Sequence, residues 1–353
     1  MVTDVPCSLG APCRVCAAAI LLLAAWFAAG RAVAQEATHH DDQRQVVAAL
    51  GLPELAGEIH ARPDEPESER VELDDLHGGF GEAVVELPGV AASRRAVGAT
   101  EPVIRGLGQE RVMTQAGPVP LVSACPSSMD PPVTYFAAHS ASEVEVVRGL
   151  PSVRLGPGGT GGRLVLAPGM RLQLQEQQLH ARVAHSVDFA RQGTVFNGLV
   201  SGGNRRVVLS LGGELLQLGD YRSGAGTLVP AGHDRYGAAL TMVASPGPGR
   251  RVWTTASWTH EENVDFPSLP MDNDDTDFWL VTMGYHRDRF DGPLRAVHGE
   301  AGVALTDHLM SNRNKPNRHK LEAATSSDVV AVGARWELEW HRSGLPFCLP
   351  IQV

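Results

Sequence analysis

The sequence predicts an α+β domain followed by antiparallel strands of a transmembrane β-barrel, and three observations predict it. The N-terminus reads as an export signal. From about residue 76 the chain becomes short β-branched runs cut by Gly and Pro. Beyond residue 170 the runs lengthen to about ten residues and alternate apolar with polar or small side chains, the weak pattern of a membrane barrel.

Residues 1–34 hold Arg14, an apolar stretch at 17–29 and the small-residue site Ala32-Val33-Ala34, which is the layout of a secretory signal peptide. That stretch falls short of the roughly 20 residues a membrane helix needs, and no later segment is as continuously apolar. Cys7, Cys13 and Cys16 lie in this removable segment, leaving only Cys125 and Cys348, so a disulfide framework is excluded despite the oxidising compartment.

Residues 35–75 are polar, acidic and interrupted by proline, with one apolar island at 46–55, and read as a flexible periplasmic linker. His39-His40-Asp41-Asp42 within it reads as solvated chain rather than a metal site. The whole sequence has 40 Asp+Glu against 30 Lys+Arg and no basic stripe interleaved with aromatics, which argues against a nucleic-acid partner.

The α+β domain is expected over 76–169. Glycines 156, 158, 159, 161 and 162 supply tight turns with positive φ. A phosphate-cradling loop is the competing idea, but Gly161-Gly162-Arg163 lacks the Gly-Lys-Ser/Thr ending. Arg105, Glu145 and Arg148 sit inside β-forming runs and are expected to pair with each other or with charges on the barrel wall.

Over 170–340 the alternation sets Trp279, Val281, Met283 and Tyr285 on one face and Thr282, Gly284 and His286 on the other. Val207, Leu209 and Leu211, and Leu240 with Met242, repeat it. A soluble sandwich alternates similarly; the export signal, the acidic loop 271–277 and the lack of cysteine pairs favour the barrel. Roughly 170 residues supply eight or nine strands, whereas plugged transporters have about 22. The expectation is an incomplete barrel, an open sheet with two unpaired edges. Residues 341–353, "HRSGLPFCLPIQV", contain two prolines and break the alternation; they are expected as a non-strand tail of frameshifted appearance.

Catalytic signatures are absent: no Gly-x-Ser-x-Gly, no His-Glu-x-x-His, and no Cys-x-x-Cys in the mature chain, so an enzyme is not expected.

Two motifs carry a family resemblance. "EPVIRGLGQERV" (101–112) and "SEVEVVRGLPSVRLGPGGTGGRLVL" (142–166) resemble segments of the plug domain of TonB-dependent outer-membrane receptors, with Leu150 and Leu155 where that family usually has Pro and Tyr. The resemblance implies a plug inside a barrel, an outer-membrane location among outer-membrane lipid, and a monomer. It also implies uptake energised through the TonB-ExbB-ExbD complex, for whose docking segment "ERVELDD" (69–75) is the best candidate.

The resemblance narrows at "CPSSMDPPVTYF" (125–136), similar to the Cys-x-x-x-Met-Asp-Pro-Pro run of copper receptors in this family, which also carry His-x-Met on the barrel side. Here that pair is His308-Leu309-Met310. It implies Cys125, Met129, His308 and Met310 as metal ligands and a copper ion as transported ligand, with no cofactor. A thiolate, two thioethers and an imidazole favour Cu(I) over hard cations. Cys125 and Met129 would share a face if the loop makes a helical turn, which Pro131 and Pro132 would end. The bland alternatives are a small buried hydrophobe at Cys125, core filler at Met129 and a plain loop histidine at His139. The competing functions are a receptor for a metal chelate or siderophore, a small structural outer-membrane barrel, and a soluble periplasmic metal-binding protein.

Overall fold

The computed structural model describes residues 68–352 apart from 73–82, 86, 97–98, 126, 137–139, 150–151, 153–154, 170–177, 291 and 343–344. The stretch read as a signal peptide, most of the stretch read as a linker with His39 and His40, and His139 lie outside the described residues.

The N-terminal part is strand-built: β1 (Ser68–Glu72), β2 (Val90–Ala96), β3 (Ala99–Ile104), β4 (Val112–Ala116), β5 (Val119–Leu121), β6 (Ala141–Arg148) and β7 (Gly162–Pro168), with short 3-10 turns at Gln109–Arg111 and Pro132–Tyr135. Five of them form a sheet in the order β1-β6-β7-β4-β5, with β4 and β7 parallel, while β2 and β3 make a separate hairpin. β6 and β7 are central and buried along nearly their whole length, which is why they read as continuous β-branched runs.

β1 falls in the stretch read as linker. It pairs antiparallel with β6, Arg70 opposite Glu145 and Val71 opposite Val144. Only Val71 in it is apolar, so periodicity cannot announce it; matched charge holds it. Arg70 Nε lies 3.3 Å from Glu143 and 3.8 Å from Glu145, and Arg148 donates to Glu69 at 2.6 Å. Glu145 and Arg148 thus find partners on β1, beside those expected from the sequence. Arg105 lies exposed in the turn after β3 at φ 50°.

Arg163 is among the largest fully buried side chains of the described residues. Its guanidinium donates to the side chain of Gln115 and to the carbonyls of Leu155, Gly156, Pro157 and Gly158, pinning the glycine-rich loop from inside. Burial draws its pKa down to about 10. Gly156, Gly158 and Gly159 all have φ between 73° and 90°, the turn role expected of them.

The remaining strands are β8 (Gln178–Asp188), β9 (Gly193–Gly203), β10 (Val207–Leu218), β11 (Tyr221–Arg222), β12 (Leu228–Val229), β13 (His233–Gly247), β14 (Arg250–Val264), β15 (Asp272–Arg287), β16 (Leu294–Ser311), β17 (Ala324–Arg342) and β18 (Leu345–Gln352). β11 and β12 form a small hairpin, and the rest make one antiparallel sheet ordered β18-β17-β16-β15-β14-β13-β10-β9-β8. Among the described residues β8 and β18 are not paired with each other, so the sheet is open, as expected of an incomplete barrel.

The tail at 341–353 is corrected by β18. Pro346 stands opposite His341 and Pro350 opposite Glu337. Four residues apart, the prolines share one side of the strand, and an edge strand tolerates proline where the missing N–H would point away from its neighbour. The acidic stretch 271–277 likewise lies mostly in β15 rather than in a loop.

The sheet presents apolar side chains outside and, beside apolar ones such as Phe278 and Leu280 that meet the N-terminal part, many polar ones inside. Leu209, Leu211, Leu240, Trp279, Val330 and Val332 are exposed, while Thr241, Thr255, Thr259 and Thr282 are buried on the other face. That inversion of a soluble protein's pattern is the one a membrane barrel requires. Among the described residues no helix is long and apolar enough to cross a membrane, which says nothing of strands.

The two parts share one core: Val144, Val146, Leu164, Leu166, Tyr135 and Phe136 pack with Phe278, Leu280 and Ala304 of the sheet. Phe278 stacks against Tyr135 with ring centroids 5.7 Å apart. The β4–β5 hairpin tip, Gly117-Pro118, enters a notch made by Gly302 and Gly333, which face each other across β16 and β17. A Cβ on Gly333 would meet the Pro118 carbonyl oxygen at 2.0 Å, so only glycine admits the tip.

Candidate metal centre

The loop from Leu121 to Pro132 is built on hydrogen bonds to its own backbone. The Ser123 hydroxyl lies 3.1 Å from the carbonyls of both Cys125 and Asp130, and Ser128 N–H donates to Cys125 O at 2.9 Å. Ser128 has φ 48°, so the loop makes one tight turn rather than a helical one. Pro131 and Pro132 open the following 3-10 turn at its N-cap and first position, instead of ending a helix. Arg95 donates to Ser128 O at 2.7 Å and pairs with Glu101, tying the loop to the β2–β3 hairpin.

Tyr135 returns from that 3-10 turn to hold the loop from below. Its hydroxyl accepts from Ala124 N–H at 2.9 Å and donates to Asp130 Oδ2 at 2.7 Å. Burial and the neighbouring Asp130 carboxylate push the Tyr135 phenol well above its ordinary pKa. Burial likewise raises the Asp130 carboxyl, with His308 and Tyr135 acting against it.

The sheet supplies the other half. Strand alternation turns His308 and Met310 inward and leaves Leu309 between them exposed. Met310 packs in one cluster with Cys125, Phe266 and Val264, against which Met129, Leu269 and Met271 are also packed. Ligand atoms of Cys125, Asp130 and His308 lie within 4.8 Å of one another, and all three residues are buried. His308 Nδ1 is 2.8 Å from Thr276 Oγ1 and 3.6 Å from Asp130 Oδ2, while its Nε2 is buried without a hydrogen-bond partner among the described residues. Ser327 on β17 donates to Ala124 O at 2.5 Å, a direct tie between the wall and the residue before Cys125.

Cys125 lies beside His308 and shares a cluster with Met310, and Met129 packs against that same cluster, so the loop and β16 bring the four candidates read from the sequence into one neighbourhood. Cys125 is a free thiol, 2 % exposed and so closed off from solvent. Asp130, Thr276, Met271 and Ser327 were not singled out in the sequence. Asp130 stood inside the Cys-x-x-x-Met-Asp-Pro-Pro run and could have been weighed; the other three carry no local signal.

Residues 72–163 match the family model of the TonB-dependent Receptor Plug Domain. Over those residues the chain is similar to a TonB-dependent receptor plug. None of the curated proteins matches the sequence. Among solved structures, the chain superposes on a copper transporter, OprC, with a TM-score of 0.72 at 20% identity, covering 81% of this chain and 45% of that one. It also superposes on the ferric enterobactin receptor PfeA from Pseudomonas aeruginosa, a mutant form, with TM-score 0.61, 14% identity and 81% and 48% coverage. The FrpB iron transporter from Neisseria meningitidis gives TM-score 0.61, 11% identity and the same coverages. At these identities the likeness shows the fold: a plug followed by barrel strands. The chain spans about half the length of these structures.

A second cluster of ligand-type residues, His260, Asp275 and Asp277, lies part-exposed on the outward face of β14 and β15. Its members satisfy each other: Asp277 takes hydrogen bonds from both His260 and Trp258 Nε1. The plug-side cluster differs in being buried, rich in sulfur and equipped with an unpartnered ring nitrogen.

Proposed function

We propose that this chain is part of a TonB-dependent outer-membrane receptor that takes up copper, captured as Cu(I) by Cys125, Met129, His308 and Met310 between plug and barrel wall. The observation that carries this is His308 Nε2, buried and without a hydrogen-bond partner, beside a thiol and in the company of thioethers. A buried polar atom left unpaired costs about 1–3 kcal/mol, so a site that keeps one is poised for a ligand. Thiolate, thioether and imidazole donors suit a soft monovalent ion. Copper is cargo here, and the chain carries rather than catalyses.

The siderophore reading draws on the likeness to enterobactin receptors. It fits this site less well, because Cys125, His308 and Met310 are each at most 2 % exposed and leave no open face for a chelate. The readings as a structural barrel with an unrelated N-terminal domain, or a soluble periplasmic protein, lose support from the plug match over 72–163. Energy would come from the TonB complex, with the protein in the outer membrane.

The test is competition against a Cu(I) chelator with the detergent-solubilised full chain. Stoichiometric Cu(I) or Ag(I) binding, lost in Cys125→Ser and in His308→Gln, is the expected outcome. Wild-type affinity in both variants would overturn the assignment.

A further inference from the structure

The two nitrogens of His308 are not equivalent, and the surroundings of Nδ1 decide which one meets a metal. Thr276 stands directly opposite His308 in the β15–β16 register. Its hydroxyl donates to Asn273 Oδ1 at 3.0 Å and lies 2.8 Å from His308 Nδ1. A hydroxyl has a single hydrogen. With that hydrogen given to Asn273, Thr276 Oγ1 faces Nδ1 as an acceptor. The other group facing Nδ1, Asp130 Oδ2 at 3.6 Å, is a carboxylate oxygen on which the Tyr135 hydroxyl also bonds. Both neighbours favour a hydrogen on Nδ1, which leaves Nε2 as a bare lone pair.

This arrangement depends on an irregularity in the strand. Asn273 pairs with Met310 and Asp275 with Leu309, so the register shifts by one residue at Asp274, opposite the His-x-Met pair. In a regular strand, residues three apart lie on opposite faces. The bulge brings Asn273 and Thr276 to the same inner face, both 1 % exposed, where the first can reach the second.

We propose that Thr276, oriented by Asn273 across this bulge, is a positioning residue that holds His308 in the Nδ1–H tautomer and so makes Nε2 the metal-binding nitrogen. The proposal rests on the copper-site reading and deepens it. Outer-shell partners of this kind fix the ring plane as well as the tautomer, and their loss typically weakens metal binding about 10- to 100-fold.

The test uses the full chain in detergent, labelled with ¹⁵N-histidine and metal-free, with the His308 resonances identified by their loss in His308→Gln. The expected wild-type spectrum shows Nδ1 protonated and Nε2 bare. Thr276→Val, equal in shape but without the hydroxyl, should give a mixture of tautomers and a Cu(I) affinity about 10- to 100-fold lower. Thr276→Ser, which restores the hydroxyl, should return both. A merely structural threonine would lower the melting temperature without moving the tautomer ratio. A proton on Nε2 in the wild type overturns the proposal even if Thr276→Val fails to fold, and so does a Thr276→Val protein with wild-type tautomer and affinity. If the wild type binds no Cu(I), the copper reading falls, while the ¹⁵N spectra still decide the tautomer.

Discussion

His308 on β16 and Asp130 on the plug loop face each other with Nδ1 and Oδ2 3.6 Å apart, both buried. They join strand β16 of the wall to the loop that carries Cys125, and each is fixed by further partners, Thr276 for His308 and Tyr135 for Asp130. Polar groups so placed interact more strongly than in water. The seam between plug and wall is therefore where substitutions should speak most clearly.

Cys125→Ser should lower Cu(I) affinity by about 100-fold, about 2.7 kcal/mol, because a harder oxygen replaces the thiolate. A buried hydroxyl there also costs about 1–3 kcal/mol of stability. Chelator competition on the folded fraction, with melting measured alongside, separates the two effects. Lost stability with intact affinity would mean that Cys125 only packs.

Gly333→Ala should unseat the hairpin tip, since the new Cβ would meet Pro118 O at 2.0 Å and the wall there is a packed strand. Overpacking of this kind costs about 1–3 kcal/mol. Limited proteolysis should then cut the plug faster than in the wild type, and an unchanged cleavage rate would show that the tip can shift freely.

Arg235 donates to Glu214 at 2.5 Å, lies 3.8 Å from Glu261, and is 2 % exposed on the inner face; Glu261 also meets His233 at 3.3 Å. Arg235→Met should destabilise by about 3–5 kcal/mol by leaving buried carboxylates without their cation. The double change Arg235→Met with Glu214→Gln should recover part of that loss in urea denaturation. Equal losses in single and double variants would argue against coupling of the pair.

Tyr135 gives a pH-dependent outcome. Its folded pKa lies above the unfolded value of about 10, for burial and Asp130 both resist the phenolate. The stabilisation is thus fully present below pH ~10 and is lost as the pH rises above it. Tyr135→Phe should be less stable at neutral pH, by about 1–3 kcal/mol, with Ala124 N–H left unpaired. Its stability should also fall less steeply above pH ~10, which denaturation across that range would reveal.

Much of this was legible in the sequence, for identifiable reasons. The open barrel sheet follows from alternation that Leu209, Leu211, Leu240 and Trp279 state residue by residue. Cys125 with Met129 and His308 with Met310 stood out through the resemblance of their two short segments to copper receptors of the family; spacing alone would not have singled them out. β1 was missed because its cohesion is Arg70 and Glu69 matched to charges on β6, which no periodicity records. Thr276 and Asn273 were invisible because their meeting depends on a one-residue register shift, set by the partner strand rather than by their own neighbours. β18 was missed because Pro346 and Pro350 break a central strand, and edge position is a property of the assembled sheet.

The Ser327–Ala124 bond and the Gly333 notch together fix how far the plug loop stands from the wall. A metal–thiolate bond is short, about 2.3 Å for zinc, so on the reading proposed above, sliding one body past the other by a comparable distance would leave Cys125 and Met129 on one side and His308 and Met310 on the other. Neither pair alone surrounds an ion. On the copper reading proposed above, grip strength at the bottom of such a vice and the force needed to open it would become one quantity, so an ion held too tightly to dissociate unaided would be let go by moving the two halves apart.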